Sequence, residues 1–357
     1  MKNKSIFLLV LTLFVIALAA CSASGAESSS SESNASESNA NSNSNEVIDI
    51  VWYPNESGND MKASRDEIGA IITEVTGKEV EHHLTTDYAI AIETLINNNA
   101  DLAFMGAVGY VEAKNGNDAI EPVVVPSGAS GTLDDAIYHS WLAVDVDKQD
   151  DFKVDGEFSL DTLVDKRMSF VSNSSTSGFV VPTSTIIDYF ADSSDYGDLT
   201  PEDLMEGGSL FSQVLFGNSH QGSAVNLING NADVAAFCDN CVENYVEAAD
   251  GEENTVGTVY RVKEGAAEPF NNVIGEEFIL ISVTPVLNAP IAANLEVLGE
   301  EDFKKIQDAL ASDATANNEE VFVPEDSDAS GLFYKTDQER FIPVEDAWFN
   351  PIRELSN

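Results

Sequence analysis

Two stretches of this chain repeat one another at a constant offset of 132 residues (Leu95 against Leu227): LINNNADLAFM and LINGNADVAAF. Each reads as the end of a helix, an Asn-rich stop, an Asp and a buried strand, in the same register. A helix–turn–strand unit built twice predicts two lobes of similar construction. Asp101 and Asp233 hold the same place in both copies and are expected to be turn or capping groups rather than ligand contacts.

The flanking patterns extend the echo. Val47–Trp52 is a buried strand pattern. Met61, Ile68, Ile71, Ile72 and Val75 recur at helical spacing and stop at Gly77. VEHHLT is a strand, DYAIAIETLI a helix and ADLAFMG a strand, giving β-α-β-α-β. The second lobe answers with the strand MSFVSN, the loop SSTSG and the helix FVVPTSTIIDYFA, whose Pro182 is tolerated in a first turn. LFSQVLF, GNSHQG and SAVNLINGNADVAAF then give strand, loop, helix and strand. YHSWLAVDV (138–146) is expected to cross into the second lobe and EEFILISVTP (276–285) to cross back. The expected division is residues 47–146 plus 273–357 for lobe one and 147–272 for lobe two. This is an α/β clamshell whose cleft lies at the C-terminal ends of strands, where open α/β sheets bind ligands.

Charge limits the partners. Against 62 acidic residues stand 17 Lys and Arg, for a formal net charge of −45. Such a surface repels nucleic acid and anionic lipid. The N-terminus reads as an export signal: Lys2 and Lys4 precede the apolar run Ile6–Ala20, which is too short to span a bilayer comfortably. Leu18-Ala19-Ala20-Cys21 resembles a bacterial lipobox, so residues 1–20 are an expected leader and Cys21 the expected lipid carrier. Residues 21–46 are a polar Ser/Asn/Glu tether that cannot bury enough apolar surface to fold. The expectation is a body on the extracellular face of the cell membrane, lipid-anchored, most simply in a Gram-positive cell. Cys238 and Cys241 form a C-x-x-C open to three states: a local disulfide, two free thiols, or half of a zinc site that wants four ligands.

One loop stands out in so acidic a chain: SNSSTSGFVVPTS, residues 172–184. It places Ser174, Ser175, Thr176, Ser177 and Gly178 at a helix start. The first turn of a helix has unpaired N–H groups and positive dipole potential, so an anion docks there. Capping needs one hydroxyl, not four. Gly178 is expected to let the backbone come close to the ligand. Neutral donors hold an oxyanion without a lysine and suit reversible binding. Enzyme patterns are lacking. GNSHQG has the wrong spacing for a nucleophile elbow, and the four histidines do not form H-E-x-x-H. His82 and His83 alternate on a strand and cannot chelate together. No metal or cofactor is called for.

In order along the chain, DYAIAIETL, NNADLAFMG, YHSWLAV, NSSTSGFVVP and NSHQGSAVNLINGNADVA resemble the phosphonate/phosphite/phosphate-binding proteins of ABC importers, over roughly residues 50 to 285. STSGFxVP is the most specific element. The resemblance implies a type II periplasmic-binding-protein fold, two lobes closing on a phosphorus oxyanion, and delivery to a membrane permease driven by a separate ATPase. It implies that Tyr88 and Tyr138 contact ligand oxygen and that His220, at a helix start, donates an imidazole N–H. His139 points away from Tyr138 by strand alternation. Ser57, in the loop that answers STSG from lobe one, is a plain loop residue or a donor from the opposite jaw. Relatives that take aminoalkylphosphonates place two acids around the ammonium. Asp239 and Glu276 are the candidates here. A retained pair favours an aminophosphonate, and a lost pair phosphite, phosphate or a small alkylphosphonate. A sulfonate is also a tetrahedral oxyanion, and a sensory lipoprotein could use the same fold without transport.

Overall fold

The computed structural model describes residues 46–355. The leader at 1–20, Cys21 and the tether through residue 45 lie outside the described residues. Among the described residues no helix is long and apolar enough to cross a membrane.

The strand Val47–Trp52 is apolar on both faces because both faces are covered. Ile48, Ile50 and Trp52 pack with Ile68 and Ile72 of the helix Lys62–Thr76. Val51 and the following Tyr53 pack on the other side with Tyr88 and Leu95 of the helix Tyr88–Ile96. The first helix ends at Gly77, whose φ of 73° is the left-handed conformation a C-terminal cap requires. Side by side run Glu79–Leu84, Val47–Trp52 and Leu102–Phe104, all parallel. Ile291–Asn294 lies antiparallel beside Leu102–Phe104, followed by Ile120–Pro126 and Phe341–Pro343.

The second sheet repeats this plan. Gln213–Phe216, Arg167–Phe170 and Val234–Cys238 are parallel, and Ile137–Asp145 lies antiparallel beside the third. In each parallel trio the first strand in chain order sits in the middle. In each, the strand of the repeated segment is third, and its antiparallel neighbour has just come from the other side of the molecule. The 132-residue echo is therefore topological as well as local.

The two crossing segments pair with one another. Ile137–Asp145 and Glu277–Leu287 form a continuous antiparallel ribbon, from Ile137 opposite Leu287 to Asp145 opposite Phe278, with a bulge between Leu280 and Ser282. Pairing along their whole length satisfies backbone groups that would otherwise need other partners. Both strands belong to the second sheet. The two strands match the expected crossing segments 138–146 and 276–285 within two residues, and the change of sheet falls before residue 137 and after residue 287.

Asp101 and Asp233 do the same work in both lobes. Asp101 Oδ2 accepts the Asp49 N–H at 2.9 Å, and Asp233 Oδ2 accepts the Arg167 N–H at 3.0 Å. Each carboxylate ties the third strand to the start of the first. Asp233 also takes two hydrogen bonds from the Arg167 guanidinium, at 3.0 and 2.6 Å, which hold its carboxyl below the usual range. A depressed carboxyl contributes stability above its unfolded pKa and loses it as the pH falls through the folded value. Asp233→Asn is expected to lower the unfolding free energy by about 1–2 kcal/mol at pH 7 in urea titrations. The gap should close as the pH drops below about 4.

Candidate anion-binding site

Four helices begin at one place. Tyr88–Ile96 and Ala107–Gly116 come from lobe one, and the segment Thr176–Phe190 and His220–Ile228 from lobe two. Each follows a strand of a parallel trio, so the starts gather at strand C-terminal ends. Tyr88, Gly106, Ser175, Thr176, Ser177 and His220 line a cavity of ≈ 50 Å³ between them. Side-chain caps close part of each of three of these starts. Asp87 Oδ1 accepts from Ala89, Ser175 Oγ from Gly178 at 3.1 Å, and Ser219 Oγ from Gly222. The Thr176–Val180 turn is unusually wide. Val180 and Val181 donate five residues back, to the Ser175 and Thr176 carbonyls, a geometry frequent at functional sites.

The lobes are closed over this cavity. Thr176 Oγ1 accepts the Val108 N–H at 2.9 Å. Asn55 Oδ1 accepts the His220 N–H at 3.1 Å, while Asn55 Nδ2 donates to Tyr88 Oη at 2.6 Å. Gln221 Nε2 donates to the Asn55 and Cys241 carbonyls, both at 3.0 Å. Gly106 makes the closure possible, since a Cβ there would lie 2.9 Å from Thr176 Oγ1. Gly178 serves packing rather than the ligand approach expected of it: its Cβ would lie 2.3 Å from Val171 Cγ2.

Among the described residues no Lys or Arg lines the cavity. Burial drives the His220 pKa down to about 3, so the ring is neutral. Its Nδ1 accepts the Cys238 N–H at 3.0 Å, and a backbone amide can only donate. The proton therefore sits on Nε2, 3.3 Å from Ser175 Oγ, as a donor toward the cavity. Burial also raises the phenols of Tyr53, Tyr88 and Tyr138 well above their usual range, which keeps them neutral. Among the described residues Glu56 is the one acid in the lining. Burial pushes it up to about 8. At neutral pH the wall carries donors and no formal charge.

A family model described as an ABC transporter phosphonate periplasmic substrate-binding protein matches residues 50–349. The chain belongs to that family. Members of this phosphonate-binding family are substrate-binding proteins of ABC importers, not enzymes, and act on the periplasmic or extracellular side of the membrane. The chain is 26% identical over 320 residues to the phosphate-import protein PhnD of Mycolicibacterium smegmatis, covering 87% of this chain and 85% of the relative. Its fold is that of type II periplasmic binding proteins. It is similar to the binding component of a Pseudomonas aeruginosa ABC phosphonate transporter, with TM-score 0.62, 20% identity, and coverage of 87% and 85% of the two chains. It is also similar to PhnD1 of Prochlorococcus marinus, solved with methylphosphonate, with TM-score 0.61, 16% identity, and coverage of 87% and 97%.

Of the expected ligand residues, the structure gathers Ser175, Thr176, Ser177, Tyr88, Tyr138 and His220 on one cavity. It does not bring Ser57 there. Ser57 Oγ donates to the Tyr53 and Thr85 carbonyls at 2.9 and 3.2 Å, and the short turn Pro54–Glu56 presents Asn55 and Glu56 instead. Asp239 is held by His139, through the backbone N–H at 2.9 Å and ring Nδ1 at 2.8 Å. It lines a neighbouring cleft of ≈ 660 Å³ rather than the small cavity. Glu276 is exposed and lines neither. Tyr138 pairs with Val286, and Glu276 precedes the far end of that strand, about 30 Å away at the strand rise. Cys238 and Cys241 form a disulfide, which holds Asn240 and Cys241 on the cavity wall. His82 and His83 do diverge, one accepting from the Trp52 indole at 3.0 Å, the other meeting Asp49 at 2.6 Å. Tyr53, Asn55, Glu56 and Asn240 were not foreseen. The signal for the middle two was their place in the lobe-one loop that answers STSG.

Gly106→Ala should hold the lobes apart. Calorimetry is expected to show anion affinity down at least tenfold, about 1.4 kcal/mol, with small-angle scattering showing a more open particle in the presence of ligand.

Proposed function

We propose that this chain is the extracellular receptor of an ABC importer for a small phosphorus oxyanion: a phosphonate, phosphite or phosphate. The observation that carries the proposal is the closed cavity at four helix starts, lined by neutral N–H and O–H donors. A water needs roughly 10–15 Å³ of such space, so ≈ 50 Å³ suits a compact tetrahedral group and not a nucleotide or sugar. A handful of hydrogen bonds to a charged group, each about 1.5–3 kcal/mol, reaches the roughly 8 kcal/mol of a micromolar complex without a cationic side chain. The relative's name, phosphate import, and the methylphosphonate held by a structural neighbour support the same ligand class. In this proposal Cys21 carries the lipid, the polar tether spaces the body from a Gram-positive membrane, and the closed lobes present the anion to a permease coupled to an ATPase.

One observation favours a ligand with a cationic tail. Asn240 lines both the small cavity and the ≈ 660 Å³ cleft, whose wall carries Asp60, Asp239, Glu243 and Glu325 beside Trp141 and Tyr245. An aminoalkylphosphonate could place its phosphonate among the helix starts and its ammonium among these acids.

Titration calorimetry with phosphate, phosphite, methylphosphonate, aminoethylphosphonate and a sulfonate tests both readings. At least one phosphorus anion is expected to bind, and Thr176→Ala and His220→Ala each to weaken it tenfold or more, about 1.4 kcal/mol. Unchanged affinity in both variants, or a preference for the sulfonate, contradicts the proposal.

A further inference from the structure

Glu56 has no role in the account so far, yet its carboxyl is inside the site. It ends the short turn Pro54–Glu56 that follows the first strand, and it lines the cavity with Ser175, Thr176, Ser177 and His220 of the other lobe. Its Oε2 is buried and has no hydrogen-bond partner among the described residues. A buried carboxylate with one oxygen left without a donor is costly, so an acid in this position either carries a proton or waits for one. The nearest cation does not serve it. The Arg65 guanidinium, from the helix Lys62–Thr76, is spent on the Glu56 and Gly58 backbone carbonyls.

We propose that Glu56 is a ligand-binding residue that enters the closed cavity as a carboxylic acid and donates its proton to one oxygen of the anion, so that each captured anion shares one proton with the protein. The proposal rests on the oxyanion reading above. The groups facing Glu56 from the surrounding elements are Arg65, the phenols of Tyr53, Tyr88 and Tyr138, and the neutral ring of His220. The Glu56 backbone N–H, the Asn55 side-chain amide and Arg65 favour the ionised form, in that order, and burial outweighs all three: the carboxyl sits at about 8. An arriving anion adds like-charge repulsion and raises it further. Phosphorus oxyanions exchange their own last proton near neutrality, at about 6 for a phosphomonoester. Below about 8 a proton is therefore available from the protein or from the ligand. Above that, a carboxylate whose Oε2 has no donor faces a dianion, and capture must draw a proton from solvent. Binding is thus linked to proton uptake on the alkaline side, and affinity falls there by up to tenfold per pH unit. For a cavity without a lysine, a proton held by an acid gives a donor that the anion itself reinforces.

The test is calorimetry with methylphosphonate between pH 8.5 and 9.5, where it is a dianion, in buffers of different ionisation enthalpy, on the wild type and on Glu56→Gln. The wild type is expected to take up close to one proton at pH 9 and to lose affinity across that unit. Glu56→Gln, whose amide donates without titrating, is expected to bind with no uptake and a flat affinity. Wild-type binding at pH 9 without proton uptake, or the same uptake in Glu56→Gln, overturns the role of Glu56 and leaves the oxyanion site standing. A wild type that binds no phosphorus oxyanion at any of these pH values overturns both.

Discussion

Everything in this molecule turns on four helix N-termini meeting around a cavity that, among the described residues, no cationic side chain lines. A helix start contributes about 0.3–1 kcal/mol toward a nearby anion at the surface and up to ~2 kcal/mol when partly buried. Four such ends, with hydroxyls and an imidazole N–H between them, act together because the low local dielectric strengthens each one. The formal charge of −45 does not defeat this. Exposed charges are screened beyond roughly 8 Å at physiological salt, while the donors act at hydrogen-bond range. An uncharged grip also releases its guest, which a transport receptor must do.

The lobes exist to bring those four ends together. Each supplies two, because each repeats the same parallel trio with a helix after every strand in turn. Neither lobe alone encloses an anion. The enclosure depends on contacts between the lobes, such as Val108 N–H to Thr176 Oγ1 and His220 N–H to Asn55 Oδ1. The chain passes between the lobes only where it enters and leaves the paired strands Ile137–Asp145 and Glu277–Leu287, which makes a hinge-like motion of whole lobes the natural way to open the site. The disulfide between Cys238 and Cys241 and the Cys238 N–H that fixes the His220 tautomer show how tightly one wall is set before any ligand arrives.

Much of this was legible in the sequence, for identifiable reasons. Val47–Trp52 and the two repeated segments are strands and helices whose apolar period survives in any context. Ser175–Ser177 could be found because four hydroxyls at a helix start exceed what capping uses. Tyr88, Tyr138 and His220 came from resemblance, not from spacing. What was not legible depended on contacts across the cleft. Glu56 and Ser57 are neighbours, and only the fold of a three-residue turn decides which faces the cavity. Glu276 was placed by its neighbours in sequence, but a long extended strand carries it away from Tyr138. Asp239 was found as an acid near the cleft, but not its engagement by His139. The two crossing strands were legible within two residues at each end, but not that both stay in the second sheet, because a crossing strand that keeps pairing leaves no break in its pattern.

The most direct measurement is a crystal structure of the protein with methylphosphonate at saturation. The account predicts a tetrahedral density enclosed by both lobes, its oxygens within hydrogen-bond distance of Thr176, Ser177, Tyr88 and His220 Nε2, and no lysine or arginine in contact. A ligand lying in the neighbouring acidic cleft, or held there by a cationic side chain while the helix starts face water, would contradict it.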